Sequence, residues 1–366
     1  MKFVFDKKTL VDEITVAQKI STKNAGAVLS NVFLAAEDSV LTIKATDTKG
    51  SFQTKIPVET VENGSVTVFC DKLMSILATI PDGEAEFSLQ EKDGIFAVIQ
   101  SKTAKIKYKL KCLSQDKFPE IPVADEKSFF SVPAKDFKEM VKKTSFSVSV
   151  DITRYFMTGV FFEKKGDKLA LVATDGRRLA FSSKEIPGLV DFTSVIVPPK
   201  VLDIVIKKLS DEGSVDIAIS EKNIFFKFGN CIFSENLIDG QFPNYVRVIP
   251  ASHTGEFVIS KEELDKALKH ISVMTDKAQK ILLGIAPGVC SVSSTSVDFG
   301  EAKEEIACQY AGEECTFAIN YKYLADFLKT ALNEDVTFEF TDELKAIVLK
   351  QKSAEDYIHI IMPMQK

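Results

Sequence analysis

The chain repeats its opening segment twice, and this repeat constrains the fold more than any other feature of the sequence. Phe3 recurs as Phe130 and again as Phe257, displaced by 127 residues each time without a gap. Three further positions recur at the same spacing: Phe5 as Val132 and Ile259, Leu10 as Phe137 and Leu264, and Ile14 as Val141 and Leu268. A period of this length is that of a whole domain rather than of a solenoid unit. The 366 residues are therefore predicted to form three copies of one domain, at 1–125, 126–252 and 253–366.

Each copy shows the same order of predicted elements. The opening strands are predicted at Lys2–Phe5, Phe129–Val132 and Glu256–Ile259, and the aligned helix starts at Asp6, Pro133 and Ser260. Ser260 and Glu263 have the spacing of a capping box, which satisfies free backbone N–H groups at a helix start. A second helix and an alternating strand follow in every copy. The fold class is therefore predicted to be α+β, with two helices on predominantly antiparallel sheet per domain.

Composition places the chain among ordinary globular proteins, with 45% apolar and 27% charged residues. There is no apolar run long enough to span a membrane, and Met1 leads directly into the repeat, so we expect neither a membrane span nor a secretory signal. The six cysteines contain no C-x-x-C pair, which indicates thiols in a reducing compartment rather than a zinc site or a disulfide framework. We therefore expect a cytoplasmic protein without metal or cofactor.

Catalytic motifs are missing from the sequence. It contains no phosphate-binding G-x-x-x-x-G-K-[ST] loop, no H-E-x-x-H pair and no G-x-S-x-G turn. The three histidines are His253 in a connector, His270 near the end of a predicted helix, and His359 near the C-terminus. A histidine close to a helix C-terminus is favoured by the helix dipole alone. We therefore expect a protein that is not an enzyme.

The most distinctive local motif is A-T-D-G-R-R-L-A at residues 173–180. Asp-Gly between alternating apolar runs predicts a tight hairpin turn, because both residues tolerate positive φ. The first copy carries a degraded version, A-T-D-T-K-G, at residues 45–50. One interpretation is simply a turn. The other is the mouth of a peptide pocket, since a turn alone does not need the cations of Arg177 and Arg178 beside the apolar Leu179.

Two further features leave alternatives open. The chain ends in H-I-I-M-P-M-Q-K, and its methionines suit either a final strand or an adaptable binding surface. Lysines such as Lys7, Lys135 and Lys261 lie on the repeated helices, although the net charge is −6. These lysines form either solvated helix faces or a strip that contacts nucleic-acid phosphates without reading sequence.

Taken together, the motifs resemble one protein family. A-T-D-G-x-R-L-A, the connector F-P-x-Y-x-R-V-x-P at residues 242–250, and the terminal I-M-P-M are similar to those of bacterial DNA sliding clamps, the beta subunit of DNA polymerase III. The resemblance covers the whole chain. It implies a head-to-tail homodimer that closes into a ring around double-stranded DNA and acts as a processivity factor. It also implies a pocket between domains 2 and 3 for peptides of the polymerase III catalytic subunit, the clamp loader, other polymerases and repair proteins.

The resemblance assigns roles to particular residues. The implied client-peptide pocket comprises Met157, Thr174, Gly176, Arg177, Arg178, Leu179, Pro243, Arg247, Val248, Asn320, Tyr323, Leu344, Ile360, Met362, Pro363 and Met364. The implied DNA-facing residues are Lys23, Lys72, Arg154 and Lys200, and the implied dimer seam contains Tyr108, Val273 and Met274. Pro199 stands where family members often carry a basic residue, so DNA contact there falls to Lys200. Two rival hypotheses are a peptide-binding scaffold that never encircles DNA and an enzyme whose site forms between domains.

Overall fold

A computed structural model describes residues 1–23, 28–332, 334–351 and 356–365. The chain folds into two compact units. Unit 1 comprises Met1–Lys135 and Lys200–Leu237, and unit 2 comprises Asp136–Pro199 and Ile238–Lys366. The middle copy of the predicted repeat therefore contributes residues to both units.

The strands follow one another closely along the chain. In the first third they are β1 (Lys2–Asp6), β2 (Asn31–Glu37), β3 (Val40–Thr46), β4 (Gly50–Pro57), β5 (Glu59–Glu62), β6 (Gly64–Phe69), β7 (Glu84–Gln90), β8 (Phe96–Ser101) and β9 (Lys107–Leu113). In the middle third they are β10 (Phe130–Pro133), β11 (Val160–Lys165), β12 (Lys168–Thr174), β13 (Arg178–Glu185), β14 (Val195–Val197), β15 (Ser214–Ile219), β16 (Asn223–Phe228) and β17 (Cys231–Asn236). In the last third they are β18 (Gly255–Ser260), β19 (Lys280–Ala286), β20 (Val289–Ser296), β21 (Gly300–Gln309), β22 (Cys315–Asn320), β23 (Asp335–Phe340), β24 (Ile347–Lys350) and β25 (Tyr357–Ile361).

The α-helices occur in pairs, as the repeat predicts. They are α1 (Lys7–Ile20), α2 (Cys70–Thr79), α3 (Ala134–Thr144), α4 (Pro199–Lys208), α5 (Lys261–Ser272) and α6 (Tyr321–Thr330). Asp6 caps α1 by accepting a 2.9 Å hydrogen bond from the Thr9 N–H, and the Ser260 hydroxyl accepts one of 3.4 Å from the Glu263 N–H. No helix in the described residues combines the length and the apolar character needed to cross a bilayer.

Unit 1 is built on one antiparallel sheet whose strand order is β10-β15-β16-β17-β4-β3-β2-β6-β9-β8-β7-β1-β5. The first and middle copies join where β17 pairs with β4, with Glu235 opposite Gly50. The buried face of α1 carries Leu10, Ile14 and Ala17, at the i, i+4, i+7 spacing of a helix that covers a sheet.

Unit 2 is built on a second antiparallel sheet, in the order β14-β11-β12-β13-β25-β24-β23-β18-β21-β20-β19-β22. The middle and last copies join where β13 pairs with β25, with Leu179 opposite Ile360. The core beneath α5 and α6 contains Phe257, Phe317 and Phe327, all at most 1% exposed. The structure confirms the predicted α+β class with antiparallel sheets.

Candidate functional site

The A-T-D-G motif forms a tight turn between β12 and β13 that is held by its own side chains. The Thr174 hydroxyl donates to the Arg178 carbonyl at 2.7 Å and accepts from the Gly176 N–H at 3.0 Å. Asp175 Oδ1 accepts from the backbone N–H groups of Arg177 and Arg178. Gly176 has φ +86°, a conformation that favours glycine. The turn is therefore fixed before any ligand arrives.

Arg178 connects this turn to other parts of unit 2. Its Nε donates to Asp175 Oδ2 at 3.1 Å and its Nη1 to Asp326 Oδ2 at 2.8 Å on α6. Its Nη2 donates to the Phe146 carbonyl at 2.7 Å, and its guanidinium lies 4.7 Å from the centre of the Tyr323 ring. The side chain is only 11% exposed. These contacts occupy the guanidinium, so Arg178 acts first as a link between the turn and α6.

The charges around Arg178 are balanced within the protein. Burial opposes ionisation of Asp326, but hydrogen bonds from Arg178 and Lys329 outweigh it, so the pKa of Asp326 is lowered. His359 is fully buried on β25, and this burial, with Arg178 as the next cause, lowers its pKa to about 3. His359 is therefore neutral at physiological pH and adds no charge beneath the turn.

The C-terminal segment lies against the turn. Beyond the pairing of β13 with β25, the Met362 N–H donates to the Arg177 carbonyl at 2.8 Å and the Met364 N–H to the Ala318 carbonyl at 2.7 Å. The final strand ends at Ile361. The ending is therefore a strand to Ile361, followed by residues outside the strand, of which Met362 is 36% exposed.

An apolar cavity of about 110 Å³ lies where the turn, the connector and the C-terminal segment meet. Its lining residues are Met157, Thr174, Gly176, Arg177, Arg178, Leu179, Pro243, Tyr245, Val248, Ile360 and Met362. Leu179 and Ile360 are at most 2% exposed and form its floor, whereas Met362 and Val248 are partly exposed at its mouth. A small apolar recess with polar groups at its edge can anchor an apolar side chain of a peptide.

The other predicted pocket residues lie outside this cavity. Asn320 caps α6 by accepting from the Lys322 N–H at 2.9 Å, and Leu344 is 76% exposed on the β23–β24 connection. Tyr323 lies against Arg178. The three remaining residues are Arg247, Pro363 and Met364, which follow or precede lining residues along the chain.

Tyr245 lines the cavity, although its role was not predicted from the sequence. It is 4% exposed, and its hydroxyl donates to Glu163 Oε2 at 2.7 Å. Burial raises the pKa of Tyr245, and the bond to Glu163 adds to the shift. The available signal was its place in the connector F-P-N-Y, two residues after Pro243, which also lines the cavity.

Comparison with known proteins identifies the family. Models of the N-terminal, central and C-terminal domains of the DNA polymerase III beta subunit match residues 1–122, 131–244 and 246–365. The beta sliding clamp of Treponema pallidum is 41% identical over 372 residues, covering 100% of both chains. The chain belongs to the DNA polymerase III beta subunit family. It is therefore a sliding clamp subunit, a processivity factor without catalytic activity of its own.

Solved sliding clamps share the fold over their full length. The clamp from Bartonella birtlesii bound to griselimycin is 28% identical with a TM-score of 0.93, covering 100% of both chains. The clamp from Pseudomonas aeruginosa bound to griselimycin is 26% identical with a TM-score of 0.94 over 100% of both chains. The whole of this chain thus has the architecture of a sliding clamp.

The DNA-facing residues that the clamp resemblance implies are all exposed. In unit 1, Lys23 and Lys200 line one groove of about 720 Å³ together with Lys19, and Lys72 is exposed on α2. Lys200 Nζ lies 3.1 Å from Asp47 Oδ2, so part of its charge is neutralised. Arg154, in unit 2, is exposed and pairs with Asp151 at 2.9 Å.

The residues that the resemblance implies at the dimer seam lie at strand and helix ends. Tyr108 is half-buried on β9 in unit 1, where its hydroxyl lies 2.9 Å from that of Thr79. Val273 and Met274 directly follow α5 in unit 2, and Val273 is 78% exposed.

Proposed function

We propose that two copies of this clamp close head to tail into a ring around duplex DNA in the cytoplasm. The observation that carries this proposal is the groove in unit 1 that gathers Lys19, Lys23 and Lys200 in a chain whose net charge is −6. Clustered lysines attract phosphates without reading bases, which is what a ring that slides along DNA requires. Lys72 and Arg154 add exposed cations outside this groove, and the net negative charge of the chain disfavours non-specific contact elsewhere on its surface.

Two strand edges of opposite charge support the ring closure. In the described residues, 107–111 of β9 pair only with β8, and 301–307 of β21 pair only with β20. The first edge exposes Lys107, Lys109 and Lys111. The second exposes Glu301, Lys303 and Glu305 beside the half-buried Glu304, so its net charge is negative. An unpaired edge is a template for another strand, and opposite charges favour the pairing of unlike edges. Tyr108 and Val273 then add apolar contacts to a head-to-tail, heterologous seam.

The cavity of unit 2 serves as the client-peptide pocket in this proposal. Leu179 and Ile360 accept an apolar side chain, and Met362 adapts its shape at the mouth. Arg247, Asn320, Tyr323, Leu344, Pro363 and Met364 extend the contact surface around the cavity. The partners proposed for this surface are peptides of the polymerase, the clamp loader and repair proteins.

Retention on DNA tests the ring. The protein is loaded onto nicked circular DNA by a clamp loader, washed at high salt, and the DNA is then linearised. We expect retention on the circle and loss from the linear form, because a ring is held by topology and slides off an end. If rising salt releases the protein equally from circular and linear DNA, the protein is held only by its affinity for phosphates, and encirclement is refuted.

Molar mass in solution tests the seam. Light scattering is expected to give twice the 40.5 kDa of one chain, and reversal of charge in Lys107→Glu with Lys109→Glu should shift the protein toward monomer. Reversal of an exposed pair outside these edges, Lys168→Glu with Lys222→Glu, is the matched control and should leave the dimer intact. A wild-type monomer at every accessible concentration would remove the basis for a closed ring.

A further inference from the structure

Three side chains in unit 2 converge outside the pocket, the basic groove and the proposed seam. They are His253 from the connector before β18, Glu256 on β18 and Glu339 on β23. One nitrogen of His253 and one oxygen from each glutamate lie within 4.8 Å of one another. His253 Nε2 is 3.6 Å from Glu256 Oε2, and its Nδ1 is 3.5 Å from Glu339 Oε2. These separations exceed those of hydrogen bonds.

The backbone imposes this convergence. Glu256 and Glu339 are directly opposite each other in the antiparallel pairing of β18 with β23, an arrangement that is unfavourable for two like charges. The connector is fixed over this pair because the Thr254 N–H donates to the Phe340 carbonyl at 2.9 Å and the Thr254 hydroxyl to the Thr341 carbonyl at 2.7 Å. His253 is thereby held beside both carboxylates.

The protein supplies only part of the positive charge that this pair needs. Lys350 Nζ donates to Glu339 Oε1 at 2.8 Å, on the oxygen turned away from His253. Among the described residues, Glu256 has no lysine or arginine partner, and the basic group beside it is the His253 imidazole, which is charged only when protonated. Two facing carboxylates with one ammonium on the far side leave room for a further cation between them and the imidazole.

We propose that His253, Glu256 and Glu339 form a Zn²⁺ site. Zn²⁺ takes imidazole nitrogen and carboxylate oxygen at about 2.0–2.2 Å. One His253 nitrogen and one oxygen of each glutamate lie within 4.8 Å of one another, so small side-chain rotations bring all three onto a single ion. An adjoining cavity of about 210 Å³, lined by His253, Glu339 and Lys350, has space for the water that completes a tetrahedron. An imidazole in the donor set favours Zn²⁺ over Mg²⁺ or Ca²⁺, which take oxygen ligands. The bound ion fixes the connector to β18 and β23.

The site was hidden in the sequence because its ligands are far apart. Glu256 follows His253 by three residues, but Glu339 comes from a strand more than eighty residues later. Only the register of β18 with β23 places the second carboxylate beside the first. The absence of a close ligand motif therefore led to the expectation of no metal.

Zn²⁺ titration of the untagged full chain, stripped with a chelator, tests the site. Isothermal calorimetry at pH 7.5 should show one Zn²⁺ per chain and no comparable heat with Mg²⁺. His253→Asn, Glu256→Gln and Glu339→Gln should each weaken binding by roughly tenfold or more. Lys350→Met should strengthen binding, because it removes a competing cation from Glu339. The ion should also raise the thermal midpoint of the wild type but not of His253→Asn.

His270→Asn is the matched control, since His270 is an exposed histidine that contacts a single carboxylate, with Nδ1 2.8 Å from Glu304 Oε2. It should bind Zn²⁺ as the wild type does. Absence of Zn²⁺ binding by the wild type would overturn the proposal, as would unchanged binding by His253→Asn. Binding that is lost instead in Cys308→Ser or Cys315→Ser would place the ion on those half-buried thiols and would also overturn it.

Discussion

The same turn occurs at the junction of copies in each unit, and its two versions have different consequences. In unit 1, the Thr46 hydroxyl donates to the Gly50 carbonyl at 2.8 Å, and Asp47 Oδ1 accepts from the Lys49 and Gly50 N–H groups. In unit 2, Thr174, Asp175 and Arg178 make the same bonds. The following strand is also held alike, because the Asn236 N–H donates to the Lys49 carbonyl at 2.8 Å and the Met362 N–H to the Arg177 carbonyl at 2.8 Å.

Only the side chains on this shared backbone differ. Gly50 stands where unit 2 has Arg178, and the strand opposite carries Glu235 where unit 2 carries Ile361. A Cβ at residue 50 would come too close to a carboxylate oxygen of Glu235, so a larger residue there would require the Glu235 side chain to move. The unit 1 junction therefore carries a buried carboxylate at the position of Ile361, the residue between the cavity-lining Ile360 and Met362 of unit 2. Repetition supplies the framework, and the side chains placed on it differ between the two junctions.

Exchanging the residue at the cavity mouth for its counterpart should have the largest effect. Met362→Asn installs the residue type found at position 236 in unit 1 and keeps the backbone bond to Arg177, since that bond uses only the N–H. Loss of the apolar contact at the mouth should weaken the binding of a fluorescent client peptide by tenfold or more, as measured by fluorescence anisotropy. Met362→Leu is the control and should bind nearly as the wild type does. If the Met362→Asn variant binds as tightly as the wild type, the client peptide does not use this cavity.

Among the effects on folding stability, breaking the Arg178 link should cause the largest. Arg178→Met removes the guanidinium from Asp175 and Asp326 in a mostly buried site and leaves Asp326 with Lys329 alone, which costs about 3 kcal/mol. Lys200→Met removes the corresponding cation from Asp47, but Lys200 is 53% exposed, so the loss should stay below about 1 kcal/mol. Urea unfolding of both variants measures the contrast. Equal losses of unfolding free energy in the two variants would show that the link from Arg178 to α6 does not distinguish the two junctions.

Glu235 should make the stability of unit 1 depend on pH. Burial, followed by repulsion from Asp47, raises the pKa of Glu235 from 4.5 to about 7, with Lys200 and Lys49 opposing the shift. A raised pKa means that the folded state holds the proton more tightly, so the free energy of unfolding should fall as pH rises from about 4.5 to 7. Glu235→Gln should remove this fall and be roughly 2–3 kcal/mol more stable than the wild type at pH 8.

The measurement is the urea midpoint between pH 5 and pH 8, with Glu221→Gln as the control. Glu221 is exposed on the β15–β16 connection and should leave the pH dependence unchanged. If the stability of the wild type and of Glu235→Gln falls equally as pH rises, the group that titrates is not Glu235.

The sequence predicted the parts of this comparison that are local. Thr-Asp followed by glycine or threonine predicts the turn, because the side-chain oxygens of Thr and Asp bond N–H groups two or three residues later. The three copies follow from apolar residues that recur at one spacing. The partners of Arg178 could not be predicted, since Asp326 lies 148 residues away and no periodicity connects the two. Glu235 was missed for the same reason: its burial depends on the pairing of β17 with β4.

The smallest effect concerns the third residue of the turn and separates backbone strain from side-chain chemistry. Thr48 has φ +74° in unit 1, whereas Gly176 has φ +86° in unit 2. A β-branched residue is strained in this region, so Thr48→Gly should stabilise unit 1 by about 1 kcal/mol even though glycine gains freedom in the unfolded chain. Gly176→Thr should cost about 1–2 kcal/mol, because the same strain is introduced where Arg154 Nη1 would lie 2.9 Å from the new Cβ. If Thr48→Gly raises the urea midpoint and Gly176→Thr lowers it, one backbone conformation is imposed on both turns. If both variants shift the midpoint in the same direction, the two turns differ in backbone as well as in side chains.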